Sequence, residues 1–327
     1  MTVLITGAGA IGCRSAQALL ERGETVVLLD VAPDPDAIRH YVDPDRTEIV
    51  KLDVCDYDGL AGIVRKHKVR RILHTAAMLT RALREAPRKG VMVNIAGTTN
   101  VLEAARTQKL GRVVLASSGI VGYPTFGSFR GDYFPEDFPM KALSERPNSL
   151  YAITKLSAEF LGLFYHQAYQ TDVVILRYQA VLAPFAGPSN NVTGLMAESL
   201  LRPAMQGRTA VIDNPLIVWG GGEEFVDVRD VVQANLAALD APAPKTRVYN
   251  VGSGRMHTFH EVVEAVRELY PAFKAEVRVK LAGGMVGFEH ERPAASDIRL
   301  AEAELGFKAR YSLRESIEHF ARNMQPA

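Results

Sequence analysis

Short apolar runs alternate with amphipathic stretches through the first half of the chain. Runs without polar interruptions are typical of strands that a parallel sheet buries on both faces, and the stretches between them have helical spacing. The predicted strands are Thr2–Thr6, Thr25–Asp30, Glu48–Asp53, Arg71–His74, Arg112–Ser117 and Asp172–Tyr178. The predicted helices are Ile11–Arg22, Asp58–His67, Gly90–Arg106 and Leu150–Gln170. Because crossovers between parallel strands are right-handed, this order predicts an α/β fold with a doubly wound parallel sheet.

The pattern changes after Tyr178. Residues 179–225 are rich in proline and glycine and predict loops. A helix and a strand that returns to the sheet are predicted within 226–251. Three more helices are predicted towards the C-terminus, at Thr258–Tyr270, Asp297–Leu305 and Leu313–Asn323. The sequence therefore predicts two domains, one formed by residues 1–178 plus 226–251 and a smaller, discontinuous C-terminal one formed by 179–225 plus 252–327.

Composition narrows the class of protein. The chain has 327 residues, 47% of them hydrophobic, and a formal net charge of +1. These values are ordinary for a globular enzyme and give no electrostatic reason to expect a nucleic acid or a membrane as partner. No apolar run reaches the roughly 18 residues that cross a bilayer. The two cysteines, Cys13 and Cys55, suit a reducing compartment, so the expected location is cytoplasmic.

The first predicted strand leads into a glycine loop, Gly7–Gly12, with the pattern G-x-G-x-x-G. The first glycine of this pattern allows a tight turn, the second lets the backbone approach a pyrophosphate, and the third allows close packing of helix and strand. Asp30 ends the second strand, where a carboxylate binds the adenosine ribose and repels the 2′-phosphate of NADP. No Arg or Lys stands between Val31 and Ile38 to receive that phosphate. We therefore expect a Rossmann domain that binds NAD.

Tyr151 and Lys155 are four residues apart at the start of a predicted helix. Positions i and i+4 share one helix face, so the phenol and the ammonium face the same space. Lowering a tyrosine pKa from near 10 to near 7 takes about 4 kcal/mol. An ammonium ~4 Å away supplies roughly that amount at an effective dielectric of ~20, and a neighbouring oxidised nicotinamide adds more positive charge. We interpret the pair as a general acid/base and its partner, with a solvent-exposed helix face as the alternative.

Ser117 and Ser118 end the fifth predicted strand, at the edge of the sheet where open α/β sheets bind ligands. A hydroxyl at this edge is placed to hold a substrate oxygen near Tyr151. The alternative for each serine is that it satisfies backbone groups at the end of the strand.

The order of these motifs resembles that of the extended short-chain dehydrogenase/reductase superfamily, in its NAD-dependent epimerase/dehydratase group. The matching segments cover nearly the whole chain. They are ITGAGAIG at 5–12, VVLLD at 26–30, LDV at 52–54, HTAA at 74–77, VNIAGTTNVLEAA at 93–105, VVLASSGIVGY at 113–123, PNSLYAITKLSAE at 147–159, ILRYQAVLAP at 175–184, FVDVRDVV at 225–232, YNVGSG at 249–254 and RPAASDIRLAEAELGF at 292–307.

The resemblance implies roles for the matching residues. Ser118 corresponds to the substrate-orienting Ser/Thr of the family, Tyr151 to its general base, and Lys155 to the partner that also holds the nicotinamide ribose. The implied cofactor-binding residues are Gly7, Gly9, Ala10, Ile11, Gly12, Asp30, Asp53, Val54, Ala76, Ala77, Asn94, Tyr151 and Lys155. The expected substrate contacts are Ser117, Ser118, Arg177 and Gln179. The resemblance also implies a homodimer formed through the two long helices.

Departures from the family pattern bear on the substrate. No carboxylate follows Ser118, so elimination and decarboxylation lack the extra acid that the dehydratases of the family carry there. The nucleotide-sugar enzymes commonly have an asparagine after the Arg-Tyr of the sixth strand, where this chain has Gln179. They also often have an arginine just before residue 225 that grips a diphosphate, where this chain has Glu223 and Glu224. A nucleotide sugar is therefore not the expected substrate.

The leading hypothesis is an NAD-dependent oxidoreductase in which Tyr151, aided by Lys155, removes the proton from a secondary alcohol held by Ser118. The expected substrate is a sugar, a sugar acid or another small hydroxy compound. A nucleotide-sugar epimerase that recycles NAD in each turnover is the alternative enzyme. A non-catalytic NAD-binding regulator is the alternative from another class of protein.

Other polar and aromatic residues are weighed against structural roles. The histidines lack metal-ligand spacing, so no metal is expected. His74 is expected to be packed and hydrogen-bonded rather than catalytic. Trp219 is interpreted either as a residue over the substrate cleft or as a hydrophobic contact. The glycine-rich stretch 281–293 is interpreted either as a wall of the site or as loop packing.

Overall fold

A parallel sheet forms the centre of the protein. The computed structural model describes residues 1–141, 149–186 and 191–324. Pro147 and Asn148, which begin the motif at 147–159, lie outside these ranges. The strands are β1 Thr2–Thr6, β2 Thr25–Asp30, β3 Thr47–Lys51, β4 Arg71–His74, β5 Arg112–Ser118, β6 Tyr133–Phe134, β7 Val173–Tyr178, β8 Ala180–Leu182, β9 Ala210–Ile212, β10 Phe225–Asp227, β11 Val248–Val251, β12 Ala275–Val277 and β13 Ala295–Ser296.

The central sheet has seven strands among the described residues, in the order β11-β7-β5-β4-β1-β2-β3. All neighbouring strands are parallel. The order therefore reverses between β1 and β4, and the loops that follow these two strands separate there. Such a switch point leaves a crevice at the carboxyl edge of the sheet, which is where doubly wound sheets bind ligands. The predicted α/β fold with a doubly wound parallel sheet is confirmed.

Helices cover both faces of the sheet. They are α1 Ala10–Glu21, α2 Pro35–Arg39, α3 Tyr57–Lys66, α4 Thr80–Glu85, α5 Pro87–Val91, α6 Gly97–Thr107, α7 Tyr123–Phe126, α8 Leu150–Tyr169, α9 Val192–Met205, α10 Val228–Asp240, α11 Phe259–Leu269, α12 Arg299–Leu305 and α13 Leu313–Asn323. Successive side chains of β1 enter the hydrophobic cores on opposite faces of the sheet. Val3 and Ile5 pack with α1 and α10 on one face, whereas Leu4 packs with α3 and α6 on the other. This alternation explains why β1 is apolar throughout.

One predicted helix, Gly90–Arg106, is divided. The chain forms α5, then a π-helical turn at Met92–Ala96, and then α6. The wider turn holds Asn94 inside the protein, where its amide hydrogen bonds to Thr154 at 3.0 Å. A single helical pattern does not reveal the extra residue, because π-helical turns keep the apolar face nearly continuous.

Residues 179–225 contain more regular structure than the predicted loops. They form β8, α9 and β9, and β10 begins at Phe225. Three pairs of short parallel strands join distant segments: β8 with β10, β9 with β12, and β6 with β13. The strand at 248–251 returns to the central sheet beside β7, as predicted. The division of the chain into two domains stays a prediction.

Candidate active site

Two glycines of the loop after β1 have no room for a side chain. Gly7 has a φ of +94°, and a Cβ on it would lie 2.7 Å from the backbone nitrogen of Ala76. A Cβ on Gly12 would lie 1.9 Å from the carbonyl oxygen of Gly7. Gly9, by contrast, faces open space and caps α1 without a side-chain hydrogen bond. The loop therefore has the tight turn, the open backbone and the close helix–strand packing that a pyrophosphate cradle requires.

Asp30 is fixed at the end of β2 beside this loop. Its Oδ2 accepts a hydrogen bond from the backbone N–H of Ala8 at 2.8 Å, and its Oδ1 accepts one from Ala32 at 2.9 Å. The carboxylate is thus held against the glycine loop with a defined orientation. This arrangement fits a group that binds the hydroxyls of an adenosine ribose.

The remaining predicted cofactor residues follow β3 and β4. Asp53 accepts a hydrogen bond from the N–H of Cys55 at 2.9 Å, and Val54 is buried. Ala76 and Ala77, after β4, are partly exposed at the switch point. Ala10 and Ile11 begin α1 at the mouth of the same crevice. The glycine loop and these neighbours therefore meet along one crevice, and the residues present fit NAD.

Asn94 links two parts of the site rather than lining the crevice. Its side chain is buried and hydrogen bonds to the backbone N–H and C=O of Met78, at 2.8 and 3.0 Å, and to Thr154 on α8. It thereby joins the loop after β4 to the helix that carries Tyr151. The geometry makes Asn94 a positioning residue.

Tyr151 and Lys155 lie at the N-terminus of α8, which Ser149 caps through the N–H of Ala152. The Lys155 Nζ donates a hydrogen bond to the Ala116 carbonyl at 2.6 Å and lies 5.7 Å from the centre of the Tyr151 ring. Burial lowers the pKa of Lys155 to about 8, against a smaller opposing effect of Glu159.

Burial raises the pKa of Tyr151. The physical cause is that burial removes the phenolate from water. This direction applies to the protein without NAD, whereas the expected lowering of the Tyr151 pKa relies on Lys155 and on the positive charge of the cofactor together.

The two serines at the end of β5 face in different directions. Ser118 lines a cavity and accepts a weak hydrogen bond from the N–H of Ile120 at 3.4 Å. Ser117 is buried and donates to Glu159 at 2.5 Å. Because successive residues of a strand point to opposite sides, one serine of the pair is available to a ligand.

Arg177 belongs to the buried cluster around Glu159 and does not line the cavity. Its Nε and Nη2 donate to the two carboxylate oxygens at 2.9 and 2.7 Å, and its Nη1 donates to the carbonyl of Glu136 at 2.6 Å. The structure therefore places Ser117 and Arg177, two of the expected substrate contacts, in an ion-pair network that joins α8 to β5 and β7. Glu159 was not foreseen, although a carboxylate four residues after Lys155 on an apolar helix was a visible signal.

A cavity of about 460 Å³ lies over the carboxyl edge of the sheet and contains Ser118, Tyr151 and Gln179. Its other walls come from α4, from α9 and from the stretch 284–292. The structure therefore supports the interpretation of the glycine-rich stretch 281–293 as a wall of the site. A second cavity, of about 470 Å³, lies against α11 and α13 and contains none of the predicted site residues.

Trp219 and His74 are buried among other side chains and do not line the cavity. Trp219 is 1% exposed, packs on Phe225 and Phe259, and donates to the carbonyl of His257, so it does not lie over the cleft. His74 is buried between Thr6 and Thr98, which hydrogen bond to its two ring nitrogens at 2.6 and 3.0 Å. Within the described ranges, no group of three His, Cys, Asp or Glu side chains is arranged to hold a metal ion.

The family model of the NAD dependent epimerase/dehydratase family matches residues 3–252. The chain belongs to this family. It is therefore an NAD-dependent enzyme of the short-chain dehydrogenase/reductase type, and the hypothesis of a non-catalytic regulator is set aside.

No helix within the described ranges is long and apolar enough to span a membrane.

Relatives within the family differ in activity. The dTDP-L-rhamnose 4-epimerase of Burkholderia thailandensis is 28% identical over 96% of this chain and 92% of its own. The GalE-like L-threonine dehydrogenase from Cupriavidus necator, in its holo form, superposes with a TM-score of 0.82 at 25% identity and covers 99% of this chain and 100% of its own. MoeE5 in complex with UDP-glucuronic acid and NAD has a TM-score of 0.77 at 26% identity, with 98% of both chains covered. The similar proteins thus include a nucleotide-sugar epimerase and an L-threonine dehydrogenase.

Proposed function

We propose that this protein is an NAD-dependent dehydrogenase that oxidises a free secondary alcohol without a nucleotide attached. The observation that carries the proposal is the pairing of Arg292, the arginine of the cavity lining that contacts Glu223 and Glu224. Its Nη2 donates to Glu224 at 3.0 Å, and its Nη1 lies 3.8 Å from Glu223. A diphosphate is bound by guanidinium groups whose charge is available, and this one is already matched by two carboxylates.

The chemistry follows from the residues at the cavity. Ser118 holds the substrate hydroxyl, and Tyr151 removes its proton. Lys155 stabilises the phenolate form of Tyr151 and holds the nicotinamide ribose. NAD, when bound, supplies the hydride acceptor and an additional positive charge. Because burial raises the pKa of Tyr151, both positive charges are needed for Tyr151 to act as a base near neutral pH.

The cofactor site is proposed residue by residue. Gly7, Gly9 and Gly12, with Ala10 and Ile11, hold the pyrophosphate through backbone N–H groups at the start of α1. Asp30 binds the adenosine ribose, and Asp53 and Val54 flank the adenine. Ala76 and Ala77 line the crevice after β4. The cradle left by the three glycines supports this assignment.

A nucleotide-sugar epimerase is the second candidate. The similarity to the dTDP-L-rhamnose 4-epimerase favours it. One further observation does so: Arg84 lies at the cavity and has no ion pair among the described residues, whereas the neighbouring Arg81 pairs with Glu85 at 3.1 Å. This candidate predicts conversion of a nucleotide sugar with no net NADH.

Absorbance of NADH separates the two candidates. Purified protein with NAD is offered free sugars, sugar acids, polyols, hydroxy acids, L-threonine and UDP- or dTDP-sugars. The proposal expects NADH from a free alcohol, lost by a factor of about 10²–10⁴ in Tyr151→Phe. Epimerisation of a nucleotide sugar without NADH would instead establish the second candidate.

We also propose a homodimer. Ile153, Phe160 and Phe164 form a strip along α8 and are 41, 57 and 52% exposed. Their spacing of seven and four residues places them on one helix face. Met92, in the adjoining π-helical turn, is 46% exposed as well. A contiguous apolar strip of this kind on a helix supports a second copy of the chain as its partner.

A further inference from the structure

Two consecutive carboxylates, Glu223 and Glu224, precede β10, and they have different surroundings. Glu224 is fully buried, and each of its oxygens is occupied. Its Oε2 accepts from Arg292 at 3.0 Å and from the N–H of Ser296 at 2.7 Å, and its Oε1 accepts from the N–H of Gly254 at 2.8 Å. Glu224 and Arg292 therefore form a complete ion pair that fixes the wall of the cavity.

Glu223 faces the cavity itself. Its backbone is held by two hydrogen bonds to the backbone of His257, at 2.9 and 2.8 Å, and its side chain is 16% exposed. Its Oε1 accepts from the N–H of Glu224 at 2.9 Å, and Arg292 stays 3.8 Å away. Its other oxygen receives no hydrogen bond from the residues that the structure describes. One carboxylate oxygen in the wall is thus available to a ligand.

The charges at this wall do not balance. Arg292 is the cation within 4 Å of both carboxylates in the described part of the chain, so two negative charges share one positive charge. A buried carboxylate without its own counter-ion is costly, and burial accordingly raises the pKa of Glu223. A cationic group in contact with Glu223 would lower that cost, whereas an anionic group at the same place would increase it.

Gln179 also belongs to the lining of this cavity. Its side-chain nitrogen donates to the carbonyl of Arg177 at 3.3 Å, and its Oε1 is buried against Gly119. The acceptor that this wall exposes to a ligand is therefore the carboxylate of Glu223.

We propose that the substrate is a secondary alcohol that carries an ammonium group, which Glu223 binds. The inference rests on the proposed oxidation of a free alcohol and names its substrate class. Ile120, Phe126, Met285 and Phe288 line the cavity and enclose the carbon skeleton between the two polar ends.

The test uses pairs of alcohols that differ in the amine alone. The amines are 1-amino-2-propanol, 4-amino-2-butanol and 5-amino-2-pentanol, and their neutral matches are 2-butanol, 2-pentanol and 2-hexanol. Binding to the NAD-loaded protein is measured by titration calorimetry, and turnover is measured by NADH absorbance. The chain-length series also measures the separation between the reacting carbon and Glu223.

The wild-type protein is expected to prefer at least one amine over its neutral match by about tenfold or more in dissociation constant. Glu223→Gln should abolish that preference, because the amide weakens binding of the amines more than binding of their neutral matches. Glu302→Gln, an exposed carboxylate away from the cavity, should behave as wild type. An affinity for NAD equal to that of the wild-type protein would show that Glu223→Gln is folded.

Three results would overturn the inference. They are equal binding of amines and neutral alcohols by the wild-type protein, an unchanged preference in Glu223→Gln, and a parallel loss of both classes in that variant. Preference for the amine in binding, with no NADH from any alcohol, would instead reject the proposed dehydrogenase and keep the amine site. Turnover of neutral alcohols alone would keep the dehydrogenase and reject the amine site.

Discussion

Lys155 places a buried positive charge near Tyr151. Its ammonium is buried, its pKa is lowered to about 8, and its Nζ donates to the Ala116 carbonyl. Lys155→Met should therefore lower kcat by a factor of about 10² or more, since the phenolate of Tyr151 loses a stabilising charge. Steady-state kinetics at saturating NAD check this. An unchanged kcat with a raised KM for NAD would reduce Lys155 to a cofactor-binding residue.

The effect of burial on the pKa of His74 can be tested through the pH dependence of the free energy of unfolding. Burial, assisted by the Lys155 charge, lowers the pKa of His74 to about 3. Below the ordinary value near 6.5 the unfolded chain binds a proton that the folded protein does not, so stability falls as the pH falls. Relative to His74→Gln, the wild-type free energy of unfolding should drop as the pH falls below 7, with a slope that approaches about 1.4 kcal/mol per pH unit near pH 5. Urea unfolding at about pH 7, 6 and 5 measures it, and parallel pH profiles would show that His74 titrates normally.

Sequence patterns select candidate site residues where the spacing is characteristic. Tyr151 and Lys155 are candidates because they share a helix face, and Ser118 because it ends a strand. The same patterns did not separate Ser118 from Ser117, because two adjacent serines look alike until the direction of the strand is known. The roles of Glu223 and Glu224 likewise depend on which side chain Arg292 contacts, and that contact joins residues far apart in the chain.

At the scale of elements, the Glu159–Arg177 pair fixes α8 against the sheet. Both side chains are buried, and three hydrogen bonds reach the Glu159 carboxylate from Arg177 and Ser117. Arg177→Met leaves that carboxylate without its counter-ion and should cost about 3–5 kcal/mol in the free energy of unfolding. Arg267→Met, which breaks an exposed pair with Glu264, should cost less than about 1 kcal/mol. Urea unfolding of the two variants compares them, and equal losses would contradict the account.

Long, apolar strands were the most predictable elements. Six strands of the central sheet were predicted within two residues of their limits, and β1, β2 and β7 among them are nearly uninterrupted apolar runs. The strands β8, β9 and β12 have three residues each, which is too short to show a period of two. Helix α9 was missed because it contains Gly194 and, in its last turn, Pro203, both of which read as loop residues in a sequence.

At the scale of the whole molecule, the exposed strip on α8 predicts a dimer. Size-exclusion chromatography with light scattering should give twice the chain mass of 35.8 kDa. Phe160→Asp combined with Phe164→Asp should give the chain mass, because carboxylates replace the apolar contacts. Val31→Asp, which changes another exposed apolar residue, should leave the dimer intact. A wild-type monomer, or a dimer that survives the double substitution, would contradict the proposal.

The central prediction is that the hydride taken from the substrate leaves the protein as NADH. The direct measurement is the amount of NADH formed per mole of alcohol consumed, with wild-type protein and with Tyr151→Phe, for the best free alcohol and for UDP- and dTDP-sugars. One NADH should form per alcohol oxidised, the variant should be slower by a factor of about 10²–10⁴, and the nucleotide sugars should not react. Conversion of a nucleotide sugar into its epimer with no NADH released would contradict it.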